Sequence, residues 1–101
     1  MGSLPYYEIP LRVNMKEYDF DVICNSCYFL SADEVCEIAD RLAEAVGGLP
    51  DFLISFHGYT ATISFDREAE NLEEALNSAF KLINENSNLD INSVKLPSSY
   101  D

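Results

Sequence analysis

Apolar and polar residues alternate with a period of two along several stretches of the chain and recur at helical spacing along two others. Tyr7, Ile9, Leu11 and Val13 alternate with Glu8, Pro10 and Arg12, which is a strand period. Pro5 and Pro10 restrict that piece to an edge strand or an extended arm. The next alternation is cleaner. Tyr18, Phe20, Val22 and Cys24 share one face, and Glu17, Asp19, Asp21 and Ile23 share the other. One apolar and one mostly acidic face predict a strand covered on one side only.

Helical spacing begins at Ser31. Ser31 and Glu34 have the separation of a capping box, in which each satisfies a backbone N–H of the first turn. Val35, Ile38, Ala39, Leu42 and Val46 form the apolar stripe, and Asp33, Glu37, Asp40, Arg41 and Glu44 take the other face. Gly47-Gly48 supplies a left-handed stop, and Pro50 prevents the helix from resuming. A hairpin follows, with Phe52, Ile54 and Phe56 on one face of its first strand and Tyr59, Ala61, Ile63 and Phe65 on one face of its second. A two-residue turn at His57-Gly58 predicts the pairs Phe56–Tyr59, Ile54–Ala61 and Phe52–Ile63, apolar with apolar throughout. The second helix starts after Asn71, buries Leu72, Ala75, Leu76, Ala79, Leu82 and Ile83, and ends in Asn84–Asn88. A last strand covers Ile91 to Leu96.

The order strand, helix, strand, strand, helix, strand is the split βαβ (βαββαβ) pattern of a ferredoxin-like α+β sandwich. Two helices cover one face of an antiparallel sheet, with an extra N-terminal extended strand. Residues 1–15 form the arm, 16–97 a single α+β domain, and 98–101 a tail. Such folds host many unrelated functions, so function has to be read from the residues.

Composition supports a packed core: 48% of the 101 residues are hydrophobic and 12% aromatic. Charge changes the picture more. Six basic residues face eighteen acidic ones, for a net charge of -12. That balance excludes direct binding of nucleic acid phosphates and argues against docking on anionic membranes. The longest apolar run, Cys27-Tyr28-Phe29-Leu30, is far short of the roughly 20 residues of a membrane helix. No basic leader or apolar run marks the N-terminus, and Tyr6 stands where a myristoylation pattern needs Ser or Thr. A cytoplasmic protein is expected, and three cysteines, an odd number, fit a reducing compartment.

The thiols are the first candidates for chemistry. Cys24 and Cys27 form a C-x-x-C, and Cys36 and His57 fall towards the same end of the predicted fold. Together Cys24, Cys27, Cys36 and His57 compose a zinc set or, for the first two, a redox pair. Against this, Cys24 is in phase with Phe20 and Val22, Cys36 adjoins the helix stripe, and no second C-x-x-C exists. The three cysteines are expected to be small core hydrophobes. His57 has no nucleophile at a catalytic spacing and is expected at a hairpin tip. No phosphate loop, triad or dinucleotide fingerprint is present, so no cofactor and no enzymatic activity are expected.

What remains is the acidic surface. On the open sheet face, where RNA-recognition domains carry aromatic and basic residues, this chain carries acids, serines and threonines. The expected function is that of a small acidic interaction protein. It would be an inhibitor, immunity or antitoxin-type protein, or a phage anti-defence protein, blocking a basic nucleic-acid-binding partner. Glu17, Asp19 and Asp21 on the sheet and Asp33, Glu37, Asp40 and Glu44 on the first helix are the expected contacts. The alternative is a homodimeric regulatory or small-ligand module that uses the N-terminal strand and exposed Ile23 and Leu53.

Overall fold

The structure is a computed structural model and describes residues 15–97. Its elements are β1 (Lys16–Asn25), α1 (Ala32–Val46), β2 (Phe52–His57), β3 (Thr60–Ala69), α2 (Leu72–Asn86) and β4 (Asp90–Lys95). The strands form one sheet in the order β2-β3-β1-β4, antiparallel at every junction. This is the α+β ferredoxin-like arrangement expected from the element order. The N-terminal strand and the tail expected from the sequence lie outside the described residues.

Both helix starts follow from local chemistry. The Glu34 N–H donates to Ser31 Oγ at 3.3 Å, and the Ser31 N–H donates to Glu34 Oε1 at 3.1 Å, completing the capping box. Leu30 and Val35, at the positions of a hydrophobic staple, are both buried. Gly47 closes α1 at φ +79°, a conformation that costs glycine little. In α2 the Glu74 N–H donates to Asn71 Oδ1 at 2.8 Å. No glycine ends α2. Instead Asn86 Nδ2 and Ser87 Oγ donate to the carbonyls of Leu82 and Ile83, satisfying groups that a helix end otherwise leaves open.

The core lies between the helices and one sheet face. Phe20, Val22 and Cys24 of β1 and Ala61, Ile63 and Phe65 of β3 pack with Val35, Ile38 and Leu42 of α1 and Ala75, Ala79 and Ile83 of α2. Leu30 and Leu89, in loops, join the same cluster. Between β1 and β4 the register shifts at Ile23/Cys24, so that Val94 stands opposite Val22 and Ile91 opposite Cys24. One extra residue in β4 therefore brings two residues three apart to the same sheet face, and both pack against the core.

The hairpin register differs from the expected one. His57 stands opposite Thr60, so Phe56 faces Ala61, Ile54 faces Ile63 and Phe52 faces Phe65. The turn residues are Gly58 and Tyr59, and Gly58 adopts φ +64° at the first central position, where a type II′ turn places glycine. The loop after β1 fixes this tip: the Ser26 N–H donates to the Tyr59 carbonyl at 2.8 Å and the Leu30 N–H to the Gly58 carbonyl at 2.9 Å. Sliding by two residues leaves every side chain on its expected face. It removes Tyr59 from the core, and its ring instead meets exposed Phe29 edge-on at the surface.

Candidate interaction surface

The uncovered sheet face carries Glu17, Asp19, Asp21 and Ile23 from β1, as their period predicts. Pairing with β3 adds residues that sequence reading did not select. Glu68 stands opposite Glu17, Asp66 opposite Asp19, Ser64 opposite Asp21 and Thr62 opposite Ile23. Two successive rungs therefore set carboxylate against carboxylate, an arrangement that destabilises a strand pair. The strain is visible at Asp66, whose carboxyl is raised above its ordinary range. A hydrogen bond with Asp19 is the main cause, followed by desolvation and the charges of Asp19, Glu17 and Asp51. Lys95 of β4, across from Asp21, adds a basic residue among the described ones on this face.

Asp19, Asp21, Asp66 and Asp51 rim an open depression of about 700 Å³, together with Ser64, Leu49, Phe52 and Leu53. Leu49 is 94% exposed and Leu53 77%. Asp51 has a separate duty. Arg67 Nε and Nη2 donate to its two oxygens at 2.7 and 2.9 Å, and Arg67 Nη1 donates to Ser78 Oγ at 3.1 Å. This fork ties the start of β2 to β3 and α2, and the guanidinium also lies 4.9 Å from the Phe65 ring centre.

The seven acids expected to act together do not share a surface. Glu17, Asp19 and Asp21 lie on the open face of the sheet. Asp33, Glu37, Asp40 and Glu44 are exposed on α1, whose opposite face packs on the covered side, so the sheet separates the two groups. Within α1, Glu37 makes an exposed contact of 3.7 Å with Arg41.

The thiols also separate. Cys24 is buried and behaves as the expected core hydrophobe, whereas Cys27 and Cys36 are exposed. That expectation fails for Cys27 because it lies in the loop after β1, and for Cys36 because it sits just outside the stripe formed by Val35, Ile38 and Leu42. Burial, and secondarily the charge of Asp90, push the Cys24 thiol up to about 11, so it stays protonated at neutral pH. His57 is exposed at the end of β2. Among the described residues no three His, Cys, Asp or Glu side chains form a group that could hold a metal ion, so Cys24, Cys27, Cys36 and His57 are not brought together as a zinc set. No helix of the described residues is long and apolar enough to cross a membrane.

Asp66 and Glu68 escaped sequence reading because their partners lie more than forty residues away along the chain. The local signal was present, since both continue the outward phase of Ser64. Compared with models of known families, with curated proteins and with solved structures, the chain matches none.

Proposed function

We propose that the protein is a non-enzymatic, acidic interaction protein whose open sheet face engages a basic surface of a partner protein. The observation that carries this reading is the stacking of carboxylate on carboxylate at Glu17/Glu68 and Asp19/Asp66. Like charges on opposite strands cost stability, and a cationic partner seated on them reverses the sign of that contribution. A net charge of -12 adds long-range steering towards positive partners and repels acidic ones. Blocking a nucleic-acid-binding protein is the inhibitory form this takes, with carboxylates occupying the place of phosphates. Leu49 and Leu53 beside the acidic depression supply the apolar contact that such an interface needs at its centre.

The same exposed leucines support a second reading, a homodimeric regulatory or ligand-binding module. It differs in outcome: self-association would be strengthened by salt, because screening relieves the repulsion between two acidic chains.

The test is capture of partners from a nuclease-treated lysate of the native host, washed in parallel at low salt and above about 0.15 M, where charges are screened beyond roughly 8 Å. A basic protein retained stoichiometrically at low salt, released at high salt and lost with the triple variant Glu17→Gln, Asp19→Asn, Asp21→Asn is the expected result. Retention by that triple variant and loss with Asp33→Asn, Glu37→Gln, Asp40→Asn, Glu44→Gln would move the site to α1. Retention by both variants would refute an acidic recognition surface.

A further inference from the structure

We propose that the outer edge of β2, with the apolar groove between β2 and α1, accepts an extended segment of the partner as a fifth strand. The segment's residues alternate between basic and apolar. This deepens the reading above and rests on it for the sign of the partner's charge.

Backbone polarity comes first. The Asp66 N–H donates to the Asp51 carbonyl at 2.9 Å, and these residues stand opposite each other by extension of the Phe52–Phe65 register. In an antiparallel pair, bonded and non-bonded rungs alternate. Leu53, Ser55 and His57 therefore bond to β3, while Phe52, Ile54 and Phe56 turn their N–H and C=O groups outward. Among the described residues no strand meets them, because β2 ends the sheet.

Among the described residues the edge is also unprotected. Outer strands are normally blunted by charge, proline, a bulge or a covering element. The other outer strand, β4, has Asp90, Lys95 and a register shift. The sequence of β2, Phe-Leu-Ile-Ser-Phe-His, has none of these, and its register with β3 is regular. Beside it runs an apolar groove of about 460 Å³, floored by Val35, Ala39, Ala43, Phe52, Ile54 and Phe56.

Charge selects the occupant. Asp40 lines the groove, and the net charge of -12 favours a cationic segment over a neutral or acidic one. A strand added to β2 would point alternate side chains into the groove and the others to the face bearing Asp19, Asp21 and Asp66. Apolar residues suit the first set and basic residues the second. A second copy fits poorly, since each copy carries a net charge of -12 and two such chains repel.

The experiment titrates the full chain, at low salt, with a short peptide of alternating lysine and valine. A peptide of alternating lysine and proline serves as the control of equal charge. Amide resonances, and alkylation of groove-lining Cys36 in a Cys27→Ser background, report the site. The expected result is binding of the lysine–valine peptide alone, with shifts centred on Phe52, Ile54 and Phe56 and protection of Cys36. Binding should weaken about tenfold in Phe56→Pro, which removes one outward donor and no β2–β3 bond. Ser55→Lys, an exposed substitution that charges the edge, should weaken it too and serves if the proline variant does not fold. Equal binding of both peptides would overturn strand addition and leave acidic recognition standing. Binding of neither would overturn both. Slow exchange of the Phe52, Ile54 and Phe56 amides before any peptide is added would also overturn the proposal: concentration dependence would identify a second copy as the occupant, and its absence a segment of the same chain.

Discussion

Replacing Leu42 with alanine tests the packing on which both surfaces depend. Leu42 is fully buried on α1, and across the core α2 offers Ala75 and Ala79. The substitution removes three carbons, worth about 2.4 kcal/mol at roughly 0.8 kcal/mol per buried carbon. Ala75 and Ala79 carry only methyl groups, too short to fill the space. If about 50 Å³ of void persists, the cavity adds about 1.2 kcal/mol at roughly 24 cal/mol per Å³. The sum is about 3.6 kcal/mol, a large share of the roughly 5–15 kcal/mol that holds a domain of this size together. Urea unfolding can be followed by far-UV ellipticity and by tyrosine emission, since the chain has six tyrosines and no tryptophan. With a slope near 1–1.5 kcal/mol per molar urea, the midpoint should fall by about 2.4–3.6 M. A loss below about 1 kcal/mol would refute the assignment of Leu42 to a core without slack.

Three further outcomes are expected. The raised Asp66 carboxyl makes stability rise as pH falls through its folded value towards the unfolded one near 3.8, because there the folded state binds a proton that the unfolded state does not. Melting temperatures from pH 7 to 4.5 should show that rise, and Asp66→Asn should flatten it while stabilising the protein at pH 7. In a thiol-titration assay Cys27 and Cys36 should react quickly and Cys24 only on unfolding. Above pH 9 stability should fall towards 11, since the Cys24 thiol ionises first in the unfolded chain. Arg67→Ala, which strands the partly buried Asp51 carboxylate, should cost about 1–3 kcal/mol by urea unfolding, with faster amide exchange at the start of β2.

What the sequence determined by itself is what neighbouring residues decide among themselves. The limits of α1 follow from Ser31, Glu34 and Gly47, all within reach of the backbone groups they satisfy or the φ they supply. The faces of β1 and β3 follow from period-two alternation, and the ferredoxin-like order follows from the succession of elements. Tertiary structure decided whatever depends on residues far apart in the chain. The hairpin register was settled by the loop after β1, which bonds to Gly58 and Tyr59 and holds the turn one residue later than apolar pairing alone suggests. The acidic rungs arise only when β1 meets β3, so Asp66 and Glu68 carry no local mark of their partners. The seven candidate acids part because a sheet lies between β1's open face and α1, and a separation by layers is invisible in composition or spacing. Cys24, Cys27 and Cys36 look alike as residue types. Packing alone makes the first inert and leaves the other two exposed.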